Sequence, residues 1–463
     1  MKELAIFVDT SLPVPAYEQI YSFIKKEIIS GRLSKGTKLP STRELADYMQ
    51  FSRSTILMAY EQLIAEGYIE SRTRRGYFVT EVEKGFDVRD VKSPQEKRES
   101  RQAGYETDFS PDGIEEDFFP YNEWRRLGHQ VVVSENSELF NSGDPKGDIG
   151  LRMQIAQYLG ESRGVRTDAD HIVLGAGNEN ILTIISMLVG KALFAMENPV
   201  YGKSYRIIKN LGHDVRMVGI DESGIDVKEL EGTAADVVYV TPSHQYPLGT
   251  IMSISRRLEL IDWACREEGR YIIEDDYDSE FRYRGKPIPS LQGNDRNGKV
   301  IYIGTFSKSI SPALRISYMV IPEGLYEKYE ELSSFMGNTV SRIDQKTVEL
   351  FMKTGGFERH LNRMRKIYKN KHEVMLTELK KWSRTTVSGE NAGVHMLVHI
   401  DNGKSEKELV ELAGEAGIRV YPLSAYYKGP ADYKIPTVIL GYARLSPEQI
   451  ENGLTKLKKV WKI

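Results

Sequence analysis

Residues 300–315 read Val-Ile-Tyr-Ile-Gly-Thr-Phe-Ser-Lys-Ser-Ile-Ser-Pro-Ala-Leu-Arg. Val300 to Ile303 has the composition of a short strand. Thr305, Ser307 and Lys308 follow it, and Arg315 stands seven residues after the lysine. An amine held at a strand end can form a Schiff base with an aldehyde. Two hydroxyls and a guanidinium beside it can hold a phosphate. This stretch therefore sets the question for the whole chain: a group-transfer enzyme, or a protein that has borrowed the site of one.

Working outward, the region from about Phe109 onward alternates short apolar runs with longer amphipathic ones. The short runs are Ile172 to Leu174, Ala192 to Met196, Val215 to Val218, Val237 to Val240, Tyr271 to Glu274, Val300 to Ile303 and Ile316 to Ile321. Such alternation predicts a mainly parallel sheet covered by helices. Polar and charged clusters fall where these runs end, as expected of ligand sites at the carboxyl ends of α/β strands. Gly175-Ala176-Gly177-Asn178 follows one run and opens a helix, whose free N–H groups and dipole favour a phosphate. Glu274-Asp275-Asp276-Tyr277-Asp278 closes another and places four carboxylates around one phenol. Carboxylates directly after an apolar run are costly to bury unless each has a partner. No nearby histidine supports a metal site, and none is expected. Residues from about 356 to 463 read as a smaller α+β lobe.

The first 80 residues have a different character. Tyr17 to Ser30 carries Ile20, Phe23, Ile24 and Ile28 at helical spacing. Ser41 with Glu44 three residues on has the capping-box spacing, predicting a second helix through Met49. A third helix is expected over about Arg53 to Glu66, with Ile56, Ala59, Tyr60 and Leu63 facing inward. Two short β-like pieces, Tyr68 to Arg72 and Gly76 to Thr80, are joined by Thr73-Arg74-Arg75. Three helices and a basic hairpin make a winged helix-turn-helix. Ser52, Arg53, Ser54 and Thr55 then open the recognition helix, the end that meets base edges and phosphates. Residues 81–107 are charged and lack periodicity, and read as a linker.

The chain has 463 residues, 40% hydrophobic and 28% charged, the proportions of a soluble globular protein with two or three domains. A net charge of -3 gives no global case for nucleic acid. Residues 1–80, however, hold eleven Lys and Arg against nine Asp and Glu. The one cysteine excludes an intramolecular disulfide and suits a reducing compartment. No signal peptide or bilayer-spanning stretch is evident. A cytoplasmic location without membrane contact is expected.

The string LPSTRELADYMQFSRSTILMAYEQLIAEGYIESRTRRGYFV resembles the winged helix-turn-helix of the GntR regulators. Thr305-x-x-Lys308-x6-Arg315 resembles the cofactor-lysine motif of fold-type I pyridoxal phosphate (PLP) enzymes. Together with GDPKGDIGLR, TPSHQYPLG and EDDYDSEFRY, the chain resembles the MocR/GabR subgroup along nearly its whole length. The fold this implies is α/β: a winged helix-turn-helix over 1–80, the linker 81–107, and a PLP-dependent transferase fold over 108–463. That body has a large mainly parallel sheet domain and a small lobe from about 356. In the head, the resemblance implies DNA contacts by Arg43, Arg53, Thr55 and the wing around Arg75 and Gly76. In the body, Gly177, Asn178, Thr305, Ser307 and Arg315 would hold the phosphate. Tyr201 would stack on the ring, Asp275 would meet its pyridine nitrogen, Tyr277 its phenolic oxygen, and Lys308 would form the aldimine. Any of these residues in isolation is ordinarily structural. Their order over about 140 residues is what points to a cofactor.

Two departures bear on function. Aminotransferases carry an N-P-x-G asparagine beside the ring, where this chain has Tyr246-Pro247-Leu248-Gly249, with His244 or Gln245 as polar substitutes. Their R-[LI]-x-[FY] arginine grips the substrate carboxylate, and Ile439 stands in its place. Lys203, His244 and Arg444 are the remaining candidates for an effector. The expected function is a PLP-dependent regulator of a double-stranded DNA operator, homodimeric and, as the resemblance to the subgroup implies, head-to-tail. It would sense a small amino compound, or PLP itself, through Lys308. The alternatives are a working aminotransferase with a DNA-binding appendage, and a DNA-binding protein whose body is only a scaffold. Residual transamination is left open.

Overall fold

A computed structural model describes residues 6–9, 14–81, 104–283, 288–430 and 433–463. Most of the expected linker, 82–103, lies outside the described residues. The chain forms two compact units, a head within 1–102 and a body within 103–463.

The head is built from α1 (Ala16–Ile29), α2 (Thr42–Met49), α3 (Arg53–Ala65) and a hairpin of β1 (Ile69–Arg72) with β2 (Gly76–Val79). The capping box at α2 is present: Ser41 accepts from the Glu44 N–H, and the Glu44 carboxylate accepts from the Ser41 N–H. Ser52 caps α3 by accepting from Thr55 N–H at 3.1 Å. Ile20 and Ile24 of α1 meet Ile56, Ala59, Tyr60 and Leu63 of α3 in a closed apolar core. The Tyr60 hydroxyl finds the Pro40 carbonyl at 3.0 Å, so this buried phenol is satisfied. The hairpin pairs Ile69 with Val79 and Arg72 with Gly76. Its tip puts Arg74 and Gly76 at positive φ, a conformation Gly76 adopts without steric penalty.

The body begins with a two-residue strand, β3 (Thr107–Asp108). Eight strands then form one sheet: β4 (Ile172–Gly175), β5 (Leu193–Asn198), β6 (Asp214–Asp221), β7 (Gly224–Ile225), β8 (Val237–Val240), β9 (Tyr271–Asp276), β10 (Val300–Thr305) and β11 (Ser317–Val320). Their order is β4-β11-β10-β9-β8-β5-β6-β7. The pairs β10–β9, β9–β8, β8–β5 and β5–β6 are parallel, while β11 runs antiparallel to both β10 and β4. The expected mainly parallel sheet is therefore correct in its centre. Successive side chains of a strand point to opposite faces. Ile301 and Ile303 pack in one core with the helix Asn178–Val189, while Tyr302 packs in another with the helix Ile149–Arg163. The carboxyl ends of β4, β5, β8, β9 and β10 share one edge, and the site lies there.

The small lobe holds β12 (Thr385–Ser388), β13 (His395–Ile400), β14 (Ile418–Arg419), β15 (Tyr421–Pro422) and β16 (Thr437–Gly441). Four of these form the sheet β12-β13-β16-β15, and β14 pairs instead with β3. Residues 104–107, read from sequence as the end of the linker, thus belong to the small lobe, and Phe109 is buried in its core. A two-residue strand with one buried side chain, Thr107, leaves no periodicity to detect. Among the described residues no helix is long and apolar enough to cross a membrane.

One buried ion pair ties helix to sheet. The Arg163 Nε donates to Asp276 Oδ2 at 2.8 Å, with both side chains nearly fully buried. Removing one partner of such a pair leaves the other charge uncompensated. Arg163→Ala is expected to destabilise the body by about 3–5 kcal/mol, read as a lower denaturant midpoint.

Candidate functional site

Four segments converge on one cavity of about 190 Å³ at the carboxyl edge of the large sheet. The helix that opens after β4, Asn178–Val189, supplies Asn178 and Glu179. The segment after β5 supplies Tyr201 and Lys203. The end of β9 supplies Asp275 and Tyr277, and β10 with its following loop supplies Thr305, Ser307, Lys308 and Arg315. The sheet makes this inevitable: Ser317 sits opposite both Gly175 and Thr305, so the residues flanking it reach the same edge.

The four carboxylates after Ile273 are resolved one by one. Glu274 accepts from the backbone N–H groups of Leu291 and Gln292 at 2.7 and 2.8 Å. Asp276 takes Arg163 and the Tyr302 hydroxyl, the latter at 2.5 Å. Asp278 faces His244 Nδ1 at 2.9 Å. Asp275 is left facing the cavity with neutral donors only. These are the Tyr239 hydroxyl, itself 3.0 Å from the Ser204 hydroxyl, and Asn178 Nδ2 at 3.4 Å. Burial pushes the Asp275 carboxyl up to about 7, against the pull of its Tyr239 hydrogen bond. A cation placed in the cavity would hold it ionised.

Lys308 carries the opposite perturbation. Desolvation lowers its pKa, which favours the neutral, nucleophilic amine. Its Nζ donates to the Pro111 carbonyl at 3.1 Å, so the start of the body returns to the site. Thr305 and Ser307 hydroxyls are 3.0 Å apart, and Ser317 donates to Thr305 at 2.9 Å. Gly177 does not line the cavity but fits under Arg315, where a Cβ would come within 2.3 Å of the guanidinium. The Asn178 Oδ1 is buried without a partner.

These features fit PLP. An unsatisfied buried amide oxygen, a carboxylate that wants a cation, a glycine shelf beneath an arginine and a desolvated amine are what its ring nitrogen, phosphate and aldehyde call for. Among the described residues no group of three or more His, Cys, Asp or Glu side chains is arranged for a metal ion.

The remaining candidates are placed less centrally. His244 is buried behind Tyr277, with Nδ1 3.0 Å from the phenol oxygen. Gln245 is spent on backbone, donating to the Pro199 and Tyr246 carbonyls at 2.9 Å. Arg444 is exposed, does not line the cavity and pairs with Glu116 at 3.0 Å. Tyr246 does line the cavity, edge-on to Tyr201 and Tyr277. Sequence reasoning missed Asp112, Tyr239 and Glu179. Tyr239 alone left a signal, as the one polar tip in the apolar run of β8.

In the head, Arg43, Arg53, Ser54 and Arg75 are exposed, while Thr55 and Gly76 are partly buried. Arg53 Nε lies 3.4 Å from the Thr42 hydroxyl, and Ser52 and Ser54 hydroxyls meet at 2.7 Å. Arg72 is engaged by Glu70 at 2.6 Å and packs over Phe78, leaving Arg74 and Arg75 at the tip.

Residues 113–457 match the family model for aminotransferase class I and II, and residues 16–79 match that for bacterial regulatory proteins of the gntR family. The chain is 38% identical to a Bacillus subtilis (strain 168) protein called uncharacterized HTH-type transcriptional regulator YdeL, covering all of both chains. It is 30% identical to the probable rhizopine catabolism regulatory protein MocR of Rhizobium meliloti, over 98% of this chain and 96% of that one. Among solved structures it is similar to the kynurenine aminotransferase of Pyrococcus horikoshii, at 25% identity and a TM-score of 0.68. That match covers 77% of this chain and 90% of the enzyme.

The raised Asp275 pKa has a stability consequence. Its folded value of about 7 exceeds the ordinary 3.8, so the folded state binds the extra proton between them. Stability from this group is therefore present at low pH and lost as pH rises through that window. For the ligand-free protein, Asp275→Asn is expected to lose less stability than wild type between about pH 4 and about pH 7. The difference should be on the order of a few kcal/mol of unfolding free energy, read from denaturant titrations.

Proposed function

This chain belongs to the MocR-type transcriptional regulators, a gntR-type head joined to a class I and II aminotransferase body, and from that premise we propose that the body holds PLP and passes its chemical state to the head. The observation that carries the reading is the pair of opposed perturbations in one cavity. Asp275 and Lys308 line the same cavity; burial raises the carboxyl and lowers the amine, so the one favours a cation beside it and the other is eased toward its nucleophilic form.

Asp275 would hold the ring nitrogen protonated, supported by Tyr239 and Asn178. Tyr277, steadied by His244, would meet the phenolic oxygen, and Tyr201 would cover one ring face. Thr305, Ser307, Arg315 and the N–H groups opening the helix Asn178–Val189 would receive the phosphate. When bound, the cofactor supplies an aldehyde that exchanges reversibly between amines. Lys308 is one such amine, and an amino effector is the other. Effector binding shifts the regulator only as far as its affinity differs between the two states of the protein.

Sensing is favoured over turnover by what the small lobe provides. Ile439 is wholly buried against Leu397 and Leu423. An apolar side chain at that position cannot clamp an α-carboxylate in the geometry that repeated transamination needs. PLP itself is the second reading of the signal, since Lys308 alone can register its arrival. The regulator works as a homodimer on a two-fold-related operator. Exposed Phe140 and Phe335 on the body support burial against another surface. In the head, Arg43, Arg53, Thr55, Arg74 and Arg75 would contact the DNA.

Added PLP is expected to give wild-type protein a visible absorbance band that Lys308→Ala lacks. A colourless wild type would remove the cofactor reading. Independently, Arg53→Ala is expected to weaken binding to the protein's operator about tenfold and to reduce the slope of affinity against salt by about one. Unchanged affinity would sink the head assignment.

A further inference from the structure

Among the described residues Arg315 is the one guanidinium lining the cavity, and it already has a carboxylate. Its Nη2 donates to Glu179 Oε2 at 2.6 Å and to the Ala176 carbonyl at 3.1 Å. Glu179 is the second residue of the helix Asn178–Val189 and lines the same cavity. A Cβ on Gly177 would meet the Arg315 guanidinium at 2.3 Å and Glu179 Oε2 at 2.8 Å, so both groups crowd the helix opening where a phosphate would rest. Half of each side chain is exposed, so the pair is free to open.

We infer that Glu179 is an internal competitor for the phosphate cup, holding Arg315 in the absence of a phosphate monoester and lowering the affinity with which one binds. The inference rests on the cofactor reading above and adds a reason for loose, exchangeable binding. An entering phosphate has two routes. It can displace the Glu179 carboxylate from Arg315, losing a charge-assisted bond of 2.6 Å. Otherwise it takes another edge of the guanidinium and sits beside a like charge. Both routes weaken phosphate binding, and neither touches the ring or the aldehyde. Lys203, on the same cavity wall, adds a cation that draws either anion. Burial raises the Glu179 pKa, but the Arg315 hydrogen bond and charge outweigh it, so the side chain stays an anion at neutral pH. A regulator that reports its cofactor needs a site that empties when the cofactor is scarce, and an anion in the cup supplies that.

The test is equilibrium binding of PLP and of pyridoxal, which lacks the phosphate, to full-length wild type, Glu179→Gln and Glu179→Ala. Binding is followed by absorbance and by quenching of intrinsic fluorescence. Both variants are expected to bind PLP roughly fivefold more tightly than wild type, with pyridoxal unchanged and the gain shrinking in high salt. Equal or weaker PLP affinity in the variants overturns the inference while leaving the cofactor reading standing. An equal gain for PLP and pyridoxal also overturns it, because the effect would not act through the phosphate. If none of the three proteins binds PLP, the inference and the cofactor reading fall together.

Discussion

Four carboxylates at the end of one buried strand cannot all be left to themselves. Glu274, Asp275, Asp276 and Asp278 are each at most 5% exposed, and a buried charge without a partner is costly. Much of the body is arranged to answer them. Glu274 fixes the turn at Leu291 and Gln292. Asp276 draws in Arg163, the last residue of the helix Ile149–Arg163, and the hydroxyl of Tyr302 on the neighbouring strand. Asp278 sets the ring of His244, which in turn reaches Tyr277. Of the four, Asp275 is the one that lines the cavity, with neutral donors behind it.

That arrangement makes a rigid setting for a group that must be read. Tyr277, His244 and Asp278 form a supported chain behind the cavity, and Gly393 leaves the room they need, since a Cβ there would meet the His244 ring at 2.3 Å. Lys308 stands in a desolvated position and donates to the Pro111 carbonyl. The amine and the carboxylate are perturbed in opposite senses by the same loss of water. A ligand that brings both an aldehyde and a protonated ring relieves both. The aminotransferase fold provides the scaffold, and function turns on the particular residues placed in it.

Much of this is legible in the sequence, and the limits have physical causes. Ser41 with Glu44 and the inward face Ile56, Ala59, Tyr60 and Leu63 are local patterns at helical spacing, and both are present. Strand positions followed from apolar runs because a sheet buried on both faces leaves no alternation. The antiparallel course of β11 left no such mark, since Ile316 to Ile321 reads the same in either direction. Pairing of β3 with β14 joins residues more than 300 apart through two ladder positions, and no local pattern encodes that. Asp112 and Pro111 reach Lys308 by the same long-range return. Arg444 was readable as a cation, but its pairing with Glu116, 328 residues away, was not.

The central claim is that Lys308 is the point of chemical contact between this regulator and PLP. The most direct measurement is to incubate the full-length protein with PLP, reduce with borohydride and map the modified peptide by mass spectrometry. The account predicts one stoichiometric cofactor adduct, on Lys308, suppressed when Asp275 is changed to Ala. Modification scattered over surface lysines, or absent from Lys308, would contradict it.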